Sequence, residues 1–136
     1  LEEIEDIFVA AKDYLRNLKA RGIQKDHILQ SSTLMLLDKN NMTRQYIDDY
    51  LQENQIIIKD SIDISDMDLL IDFARIGVGV ACVIKNFVRE DLENGTLVEI
   101  PLGFPIHKRE VGFAYKTTTK PSKSLAEFIH FYKTYR

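Results

Sequence analysis

The stretch "ISDMDLLIDFARIGVGVACVI", residues 64–84, decides how this chain folds. Ser65 and Asp68 have the spacing of a capping box, which predicts that a helix begins here. Gly77 predicts the end of that helix, because glycine adopts a positive φ at little cost. The apolar run 78–84 then predicts a buried strand. Between these signals, apolar residues recur at i, i+3, i+4 and i+7 and define one helix face: Met67, Leu70, Ile71 and Ala74.

Strands and helices alternate on both sides of this helix–strand unit. Helices are predicted by amphipathic or capped segments at 12–21, within 39–55, at 85–95 and at 122–136. Short apolar runs predict strands at 6–10, 33–38, 56–60, 96–100 and 110–117. This alternation favours an α/β fold with three layers, in which helices flank a sheet of mostly parallel strands.

The composition limits the classes of protein to which the chain can belong. Its 136 residues suit one domain or two small lobes, and its net charge of −3 argues against a nucleic-acid-binding surface. Cys82 is the single cysteine, so an intrachain disulfide is impossible and a reducing compartment is expected. No apolar run approaches the roughly 18 residues of a membrane helix, and no signal peptide is evident. We therefore expect a cytoplasmic protein that has no membrane partner.

The reactive side chains form no recognisable catalytic or metal-binding pattern in the sequence. His27, His107 and His130 each lack a second ligand at the spacing of a metal site. Cys82 lies in an apolar strand and is expected to behave as a small hydrophobic residue. The aspartates fall mostly on polar helix faces or at helix N-termini, where they complement the helix dipole. We therefore predict a protein that is not an enzyme and that uses no metal and no cofactor.

One candidate ligand site is the segment "DKNNMTRQ", residues 38–45, which follows an apolar strand and opens a helix. Ligands of open α/β sheets bind outside the carboxyl ends of the strands, and a helix N-terminus favours an anion. Asn40, Asn41 and Thr43 offer hydrogen bonds there, and Arg44 offers a bidentate cation. The alternative is a capped helix whose arginine is solvated.

The second candidate is the glycine pair of "GVGVA", residues 77–81. Gly79 lies one residue into the predicted strand, where glycine is unfavourable unless something must approach the backbone closely. That neighbour is either another backbone segment or a ligand, and the sequence leaves both open. The G-x-G pattern is no dinucleotide motif, because it follows a helix and enters a strand, the reverse of the required order.

The order of these segments resembles the effector-binding domain of LysR-type transcriptional regulators. In "DLLIDFARIGVGVACVIKNFVREDLENGTLVEIPL", residues 68–102, a helix runs into a G-x-G turn and a β-branched strand. A short helix and a G-x-L strand follow, here Gly95-Thr96-Leu97. Three further segments resemble the family over nearly the whole chain: "IEDIFVAAKDYL" (4–15), "TLMLLDKNNMTRQYIDDYL" (33–51) and "REVGFAYKTTTKPSKSLAEFIHFY" (109–132).

The resemblance implies a fold like that of periplasmic binding proteins, with two α/β lobes, crossing strands as a hinge and a small effector in the cleft. Residues 1–136 would then be an effector-binding regulatory domain, mainly its second lobe. Residues 1–117 would form that lobe with the crossing strands, and 118–136 a turn and closing helix that return to the first lobe. The DNA-binding domain would precede Leu1, so DNA would be contacted only outside this chain. A homo-oligomer is also implied.

The resemblance also assigns effector-binding residues. The loop and the glycine turn would face one cleft, and three residues would lie near the crossing strands. Arg44 beside a helix N-terminus suggests a small carboxylate or another anion as the effector. The alternative is a solute-binding protein of the same architecture, which an export signal would distinguish. The implied residues are Asn40, Asn41, Met42, Thr43 and Arg44 in the loop, Gly77, Val78 and Gly79 in the turn, and Val9, Ala10 and Ala114 near the crossing strands.

Overall fold

The computed structural model of the chain describes residues 2–111. Strands and helices alternate along most of this range, as the sequence predicts. The strands are β1 (Glu2–Ile4), β2 (Asp6–Ala11), β3 (Thr33–Leu37), β4 (Asp60–Ile64), β5 (Val80–Ile84), β6 (Leu97–Glu99) and β7 (Arg109–Val111). The α-helices are α1 (Lys12–Ala20), α2 (Ile28–Ser31), α3 (Met42–Glu53), α4 (Met67–Arg75) and α5 (Arg89–Asn94), and Lys25–His27 and Lys85–Val88 form 3₁₀ turns.

Five strands form one sheet in the order β4-β3-β5-β2-β6. Strand β3 runs parallel to both β4 and β5, whereas β2 runs antiparallel to both β5 and β6. Four of the five strands therefore point the same way, which confirms the predicted α/β sheet of mostly parallel strands. Strands β1 and β7 form a separate antiparallel pair next to the start of β2.

Each face of the sheet carries a helical layer over an apolar cluster, because successive strand side chains point to opposite faces. In β3, Leu34 and Leu36 belong to the cluster that includes Ile47 of α3. Met35 of the same strand belongs to the other cluster, which includes Leu70 of α4. The three predicted layers are therefore present, and β3 and β5 lie at their centre.

Helix α4 begins one residue later than the capping-box prediction requires. Asp66 is its N-cap, and its side chain accepts a hydrogen bond of 2.8 Å from the backbone N–H of Leu69. Ser65 is therefore not the N-cap, and that prediction is wrong. The end of the helix is as predicted: Gly77 has φ +84°, its N–H donates to Ala74, and the N–H of Val78 donates to Phe73. These two bonds form a Schellman motif, which satisfies carbonyl groups in the last turn.

The predicted strand at 56–60 is also wrong, because β4 begins only at Asp60. Ile56 and Ile58 pack against the α3-side cluster from an irregular segment, and Ile57 is 80% exposed. An apolar run alone does not distinguish a strand from a loop that packs on the core. The predicted strand at 110–117 is described only as far as Val111, and the predicted C-terminal helix lies outside the described residues.

Candidate functional site

The parallel strands all end at one side of the sheet, which we term the carboxyl edge. Strands β3, β4 and β5 end there at Leu37, Ile64 and Ile84. Strand β2 begins at the same edge, where Asp6 pairs with Ile84. Helices α3 and α4 also start at this edge, because each follows one of the parallel strands. This is the position at which open α/β sheets bind ligands.

The loop Asp38–Asn41 at this edge is held by its own hydrogen bonds. The N–H of Asp38 donates to the carbonyl of Ile64, which joins the loop to the end of β4 at 3.1 Å. The N–H of Asn41 donates to the Asp38 carbonyl, and the N–H of Asn40 donates to the Asp38 carboxylate at 3.2 Å. The loop is therefore a defined turn that places Asn40 and Asn41 at the carboxyl edge.

Asn41 caps helix α3, since its side-chain oxygen accepts a hydrogen bond of 2.8 Å from the N–H of Thr43. Asn40 and Asn41 are exposed, Thr43 is half-buried, and Met42 is 89% exposed. The loop therefore presents amide groups and a thioether to solvent, next to a helix N-terminus. These are groups that a polar ligand can contact without any change in the fold.

Arg44 points inward, away from solvent. Its Nε donates to Asp48 at 2.9 Å, and its Nη1 donates to Asp63 at 2.6 Å and to the Leu37 carbonyl at 3.0 Å. The residue is 7% exposed, so neither of the two roles inferred from the sequence, a solvated arginine or an anion-binding one, describes it. Its guanidinium instead fastens the first turn of α3 to the ends of β3 and β4.

The two carboxylates set the charge state of this arginine. Burial lowers the pKa of Arg44, but the hydrogen bonds to Asp48 and Asp63 outweigh burial, and the net pKa is raised. The side chain thus stays cationic, and its charge is neutralised locally. Its spacing of four residues from Asp48 on a helix was visible in the sequence and could have indicated this ion pair.

The glycine turn lies at the opposite side of the sheet, which we term the amino edge. A Cβ atom on Gly79 would lie 2.3 Å from the carbonyl oxygen of Thr33, the first residue of β3. The turn therefore lies at the start of β3, and the loop Asp38–Asn41 follows its end. The prediction that both face one cleft is wrong, since in a parallel sheet helix-to-strand turns and strand-to-helix loops occupy opposite edges.

The two alternatives for Gly79 are resolved by this contact. Backbone of β3 occupies the space next to Gly79, which is itself buried, and close packing is therefore the role of this glycine. Val78 is 39% exposed at the same edge. The turn positions β5 for pairing, in which Val80 lies opposite Leu34.

The remaining predicted residues do not join the loop. Val9 and Ala10 are both 0% exposed and belong to the apolar clusters on opposite faces of the sheet. Val9 and Ala10 are covered by the core, so neither exposes a surface that a ligand could contact. Ala114 lies outside the described residues.

An ion pair that sequence reasoning missed joins β2 to β7. Arg109 donates to both carboxylate oxygens of Asp6 at 2.7 and 2.8 Å, and Asp6 is 3% exposed. The Arg109 guanidinium also lies 5.2 Å from the ring centre of Tyr46 on α3, whose hydroxyl donates to the His107 carbonyl. An aspartate at the first position of a buried strand was the signal for such a partner.

The charged and polar groups of this junction shift one another's pKa values. Burial is the largest single influence and lowers the pKa of Arg109, but the hydrogen bonds to Asp6 and the attraction of its negative charge together outweigh burial, so the net pKa is raised. Burial and the nearby carboxylate of Asp6 raise the pKa of Tyr46. Arg109 therefore stays cationic, and its contacts with Asp6 and Tyr46 join α3, β2 and β7.

Further charged side chains surround the start of β2, and they are paired with one another. The Lys85 ammonium lies 3.8 Å from a carboxylate oxygen of Glu5 and 3.4 Å from one of Glu99. Lys108 lies within 4.0 Å of carboxylate oxygens of Glu3 and Glu5. Acidic and basic groups alternate here, so this part of the carboxyl edge has no concentrated charge of one sign.

Within residues 2–111, no cluster of three or more histidine, cysteine, aspartate or glutamate side chains could hold a metal ion. Burial raises the pKa of the Cys82 thiol well above its usual range, which suppresses its reactivity as a thiolate. In the same range, no helix is long and apolar enough to span a membrane. The chemistry that the carboxyl edge offers is therefore hydrogen bonding and shape.

Comparison with known proteins bears on the family and the fold of the chain. A family model described as LysR substrate binding domain matches residues 3–136. No curated protein matches the chain. Among solved structures, the chain is similar to the bromide-bound regulatory domain of HypT from Salmonella typhimurium, with 17% identity and a TM-score of 0.60. That alignment covers 98% of this chain and 61% of the other.

Two further solved structures share the fold. The CcmR regulatory domain from Synechocystis PCC6803 in complex with 2-PG has 11% identity and a TM-score of 0.63, and the alignment covers 95% of this chain and 61% of that one. The sulfate-bound E204G mutant of the OxyR2 regulatory domain from Vibrio vulnificus has 16% identity and a TM-score of 0.56. There the alignment covers 79% of this chain and 50% of the other. The chain thus spans between half and about two thirds of the length of these chains.

Proposed function

Because the chain belongs to the family of LysR substrate binding domains, we propose that it is the ligand-sensing second lobe of a bacterial LysR-type transcriptional regulator. The observation that carries this proposal is the hydrogen-bonded loop Asp38–Asn41, which presents exposed amides at the carboxyl edge of the sheet. In this proposal the lobe binds a small effector between itself and a first lobe, and it catalyses no reaction.

The effector would be held by hydrogen bonds from one wall of the cleft. Asn40 and Asn41 would contribute side-chain amides, and the first turn of α3 would contribute its positive dipole end. Val9, Ala10 and Ala114 would act behind this wall and near the crossing strands, and Gly77, Val78 and Gly79 would set the position of β5. Arg44 would keep the loop in place through Asp48, Asp63 and Leu37.

An anion is the ligand class that we favour. Three similar regulatory domains are described as bound to bromide, 2-PG or sulfate, and a helix N-terminus attracts negative charge. Since the Arg44 charge is neutralised by two carboxylates, the anion would be recognised by amides and by the start of α3. Lys39, exposed in the same loop, would add a favourable long-range charge.

The strands β1 and β7 would carry the response. They form an antiparallel pair at the start of β2, where Arg109 ties β7 to Asp6 and lies over the ring of Tyr46 on α3. An effector shifts the balance between two lobe arrangements only by its difference in affinity for them, typically about 1–3 kcal/mol. The regulator would act as a homo-oligomer in the cytoplasm and would contact DNA through a domain outside this chain.

Titration of the 136-residue chain with sulfate, bromide, small carboxylates and amino acids, followed by thermal shift, tests this proposal. We expect a saturable increase in melting temperature with at least one anion, and a weaker one for Asn40→Ala. Asn17→Ala removes an exposed asparagine from α1 and is the matched control. A response that is identical in Asn40→Ala and wild type would contradict the placement of the site, and non-saturable responses to every anion would contradict an anionic effector.

A further inference from the structure

A groove of about 600 Å³ lies between α1 and β6, and it shares no residue with the loop Asp38–Asn41. Its floor is apolar and buried, and its walls are half-buried apolar side chains from α1, the following turn and β6. The floor is formed by Leu18, Ile28 and Ile100, and the walls by Leu15, Ile23 and Val98. This volume falls within the range of pockets that bind small molecules in proteins.

The local backbone keeps this groove open. Helix α1 ends at a Schellman motif, in which the N–H of Gly22 donates to Lys19 and that of Ile23 donates to Leu18. Gly22 has φ +82°, and nothing lies within 4 Å of the position that a Cβ atom would occupy there. Gly22 therefore places no side chain over the groove, and nothing within 4 Å fills that position.

The charged groups at the groove favour a negatively charged ligand. Lys19 and Lys25 line it, and neither forms an ion pair with any residue in 3–109. Among the described lining residues, Glu99 alone is acidic, and its carboxylate lies 3.4 Å from the Lys85 ammonium. The groove thus combines an apolar floor with two ammonium groups that form no ion pair with residues 3–109.

We propose that this groove is a second small-molecule site, separate from the carboxyl edge, and that it binds an amphiphilic monocarboxylate. The apolar chain of the ligand lies on Leu18, Ile28 and Ile100, and burial of that chain supplies most of the affinity. The carboxylate meets Lys19 and Lys25 at the rim, where exposed charges select the sign of the ligand more than they add affinity.

The test is a titration of the ¹⁵N-labelled chain with decanoate, with decanol as the uncharged probe. We expect saturable shifts of the backbone amides of Gly22, Ile23 and Val98 with decanoate. The double variant Lys19→Gln, Lys25→Gln should weaken decanoate binding about fivefold and leave decanol binding unchanged. Its matched control is Arg16→Gln, Arg21→Gln, which removes the same charge from α1 and its end at residues that do not line the groove.

Val98→Phe fills the groove from an edge strand and should abolish the binding of both probes. The lysine variants leave the apolar core intact, so they test the charge argument even if this larger side chain perturbs the fold. Decanoate shifts confined to other amides, or no saturable shift, would overturn the site. Equal loss of decanoate affinity in the lysine and arginine double variants would overturn the assignment of the carboxylate to Lys19 and Lys25.

Discussion

The two edges of the sheet use turns of opposite character. At the carboxyl edge, the loop Asp38–Asn41 is polar and exposed, and hydrogen bonds from its own side chains and from Arg44 hold it. At the amino edge, backbone hydrogen bonds hold the turn at Gly77, and β3 lies against Gly79 without room for a side chain. One turn presents functional groups to solvent, whereas the other is closed by packing.

The difference follows from the direction of the chain through a parallel sheet. A strand that leaves the core must begin a helix at the carboxyl edge, where capping side chains and free N–H groups are needed. A helix that returns to the sheet at the amino edge must end sharply, and glycine is the residue that permits it. This difference supports our proposal that the effector binds at the carboxyl edge, whereas Gly79 at the amino edge serves close packing.

Gly79→Ala should destabilise the protein more than any other substitution at either edge. Its Cβ would lie 2.3 Å from the Thr33 carbonyl oxygen, and β3 and β5 would have to separate. We expect a loss of about 3 kcal/mol in the free energy of unfolding, measured by urea denaturation. Gly103→Ala is the control, since nothing lies within 4 Å of its Cβ position. A stable Gly79→Ala protein would show that the amino edge is open to a ligand after all.

Arg44→Met should come next and tests the carboxyl edge. Methionine keeps an aliphatic stem but loses the bonds to Asp48, Asp63 and the Leu37 carbonyl, so we expect a loss of about 2 kcal/mol. Hydrogen exchange at Asn41 and Thr43 should also become faster, because their loop loses its support.

Arg16→Met is the control for this substitution, because Arg16 forms an exposed ion pair with Asp13 on α1. Exposed pairs of this kind contribute little, and we expect a change within about 0.5 kcal/mol. If Arg44→Met left stability unchanged but abolished the binding of an anion, Arg44 would be a direct ligand contact and its position in the fold would need revision.

Much of the fold could be predicted from local signals. Two apolar patterns were long enough to predict an element, and both elements are present. The run 33–37 forms β3, and the face of Leu70, Ile71 and Ala74 belongs to α4. The run Ile56–Ile58 failed as a strand because its apolar side chains pack on the core from a loop. The helix start failed by one residue because Ser65 and Asp66 are both good caps, and sequence does not rank them.

The site was predicted less completely, since its essential contacts join distant parts of the chain. The position of Asn40 and Asn41 at a strand-to-helix loop was predictable because such a loop is recognisable from neighbouring residues, and their contact with an effector stays a prediction. Asp6 at the start of a buried strand indicates that a cationic partner exists, but that partner, Arg109, lies 103 positions away and no local pattern identifies it. Arg44 on α3 points inward because it bonds to Asp63, which lies on β4 and is distant in the sequence. Tertiary partners of this kind decide whether a charge serves a ligand or the fold.

Gly77→Ala tests whether the two glycines of the amino edge have different roles. It should lower the free energy of unfolding less than Gly79→Ala does. Nothing lies within 4 Å of the Cβ position on Gly77, so the cost comes only from its φ of +84°. We expect a loss of about 1 kcal/mol, and a smaller loss for Gly77→Asn, since asparagine tolerates this conformation better. Equal losses for Ala and Asn in urea denaturation would contradict a purely backbone origin.

The smallest expected effect concerns Cys82 on β5, the strand that joins the two edges. Ionisation of its thiol should lower the free energy of unfolding, and only at alkaline pH. Burial raises the pKa of its thiol in the folded state, whereas the unfolded thiol ionises near about pH 8.5. The stabilising contribution is therefore complete below that pH and is lost as pH rises toward the folded pKa, because only the unfolded chain gains by ionising. The free energy of unfolding should decrease between pH 7.5 and 9.0 by a larger amount in wild type than in Cys82→Ala. We expect these two decreases to differ by just under ~1 kcal/mol. Urea denaturation at both pH values measures this difference, and equal pH dependence in the two proteins would mean that β5 is open to solvent near Cys82. In that case the close packing of the amino edge would not continue to the centre of the sheet, where Cys82 lies.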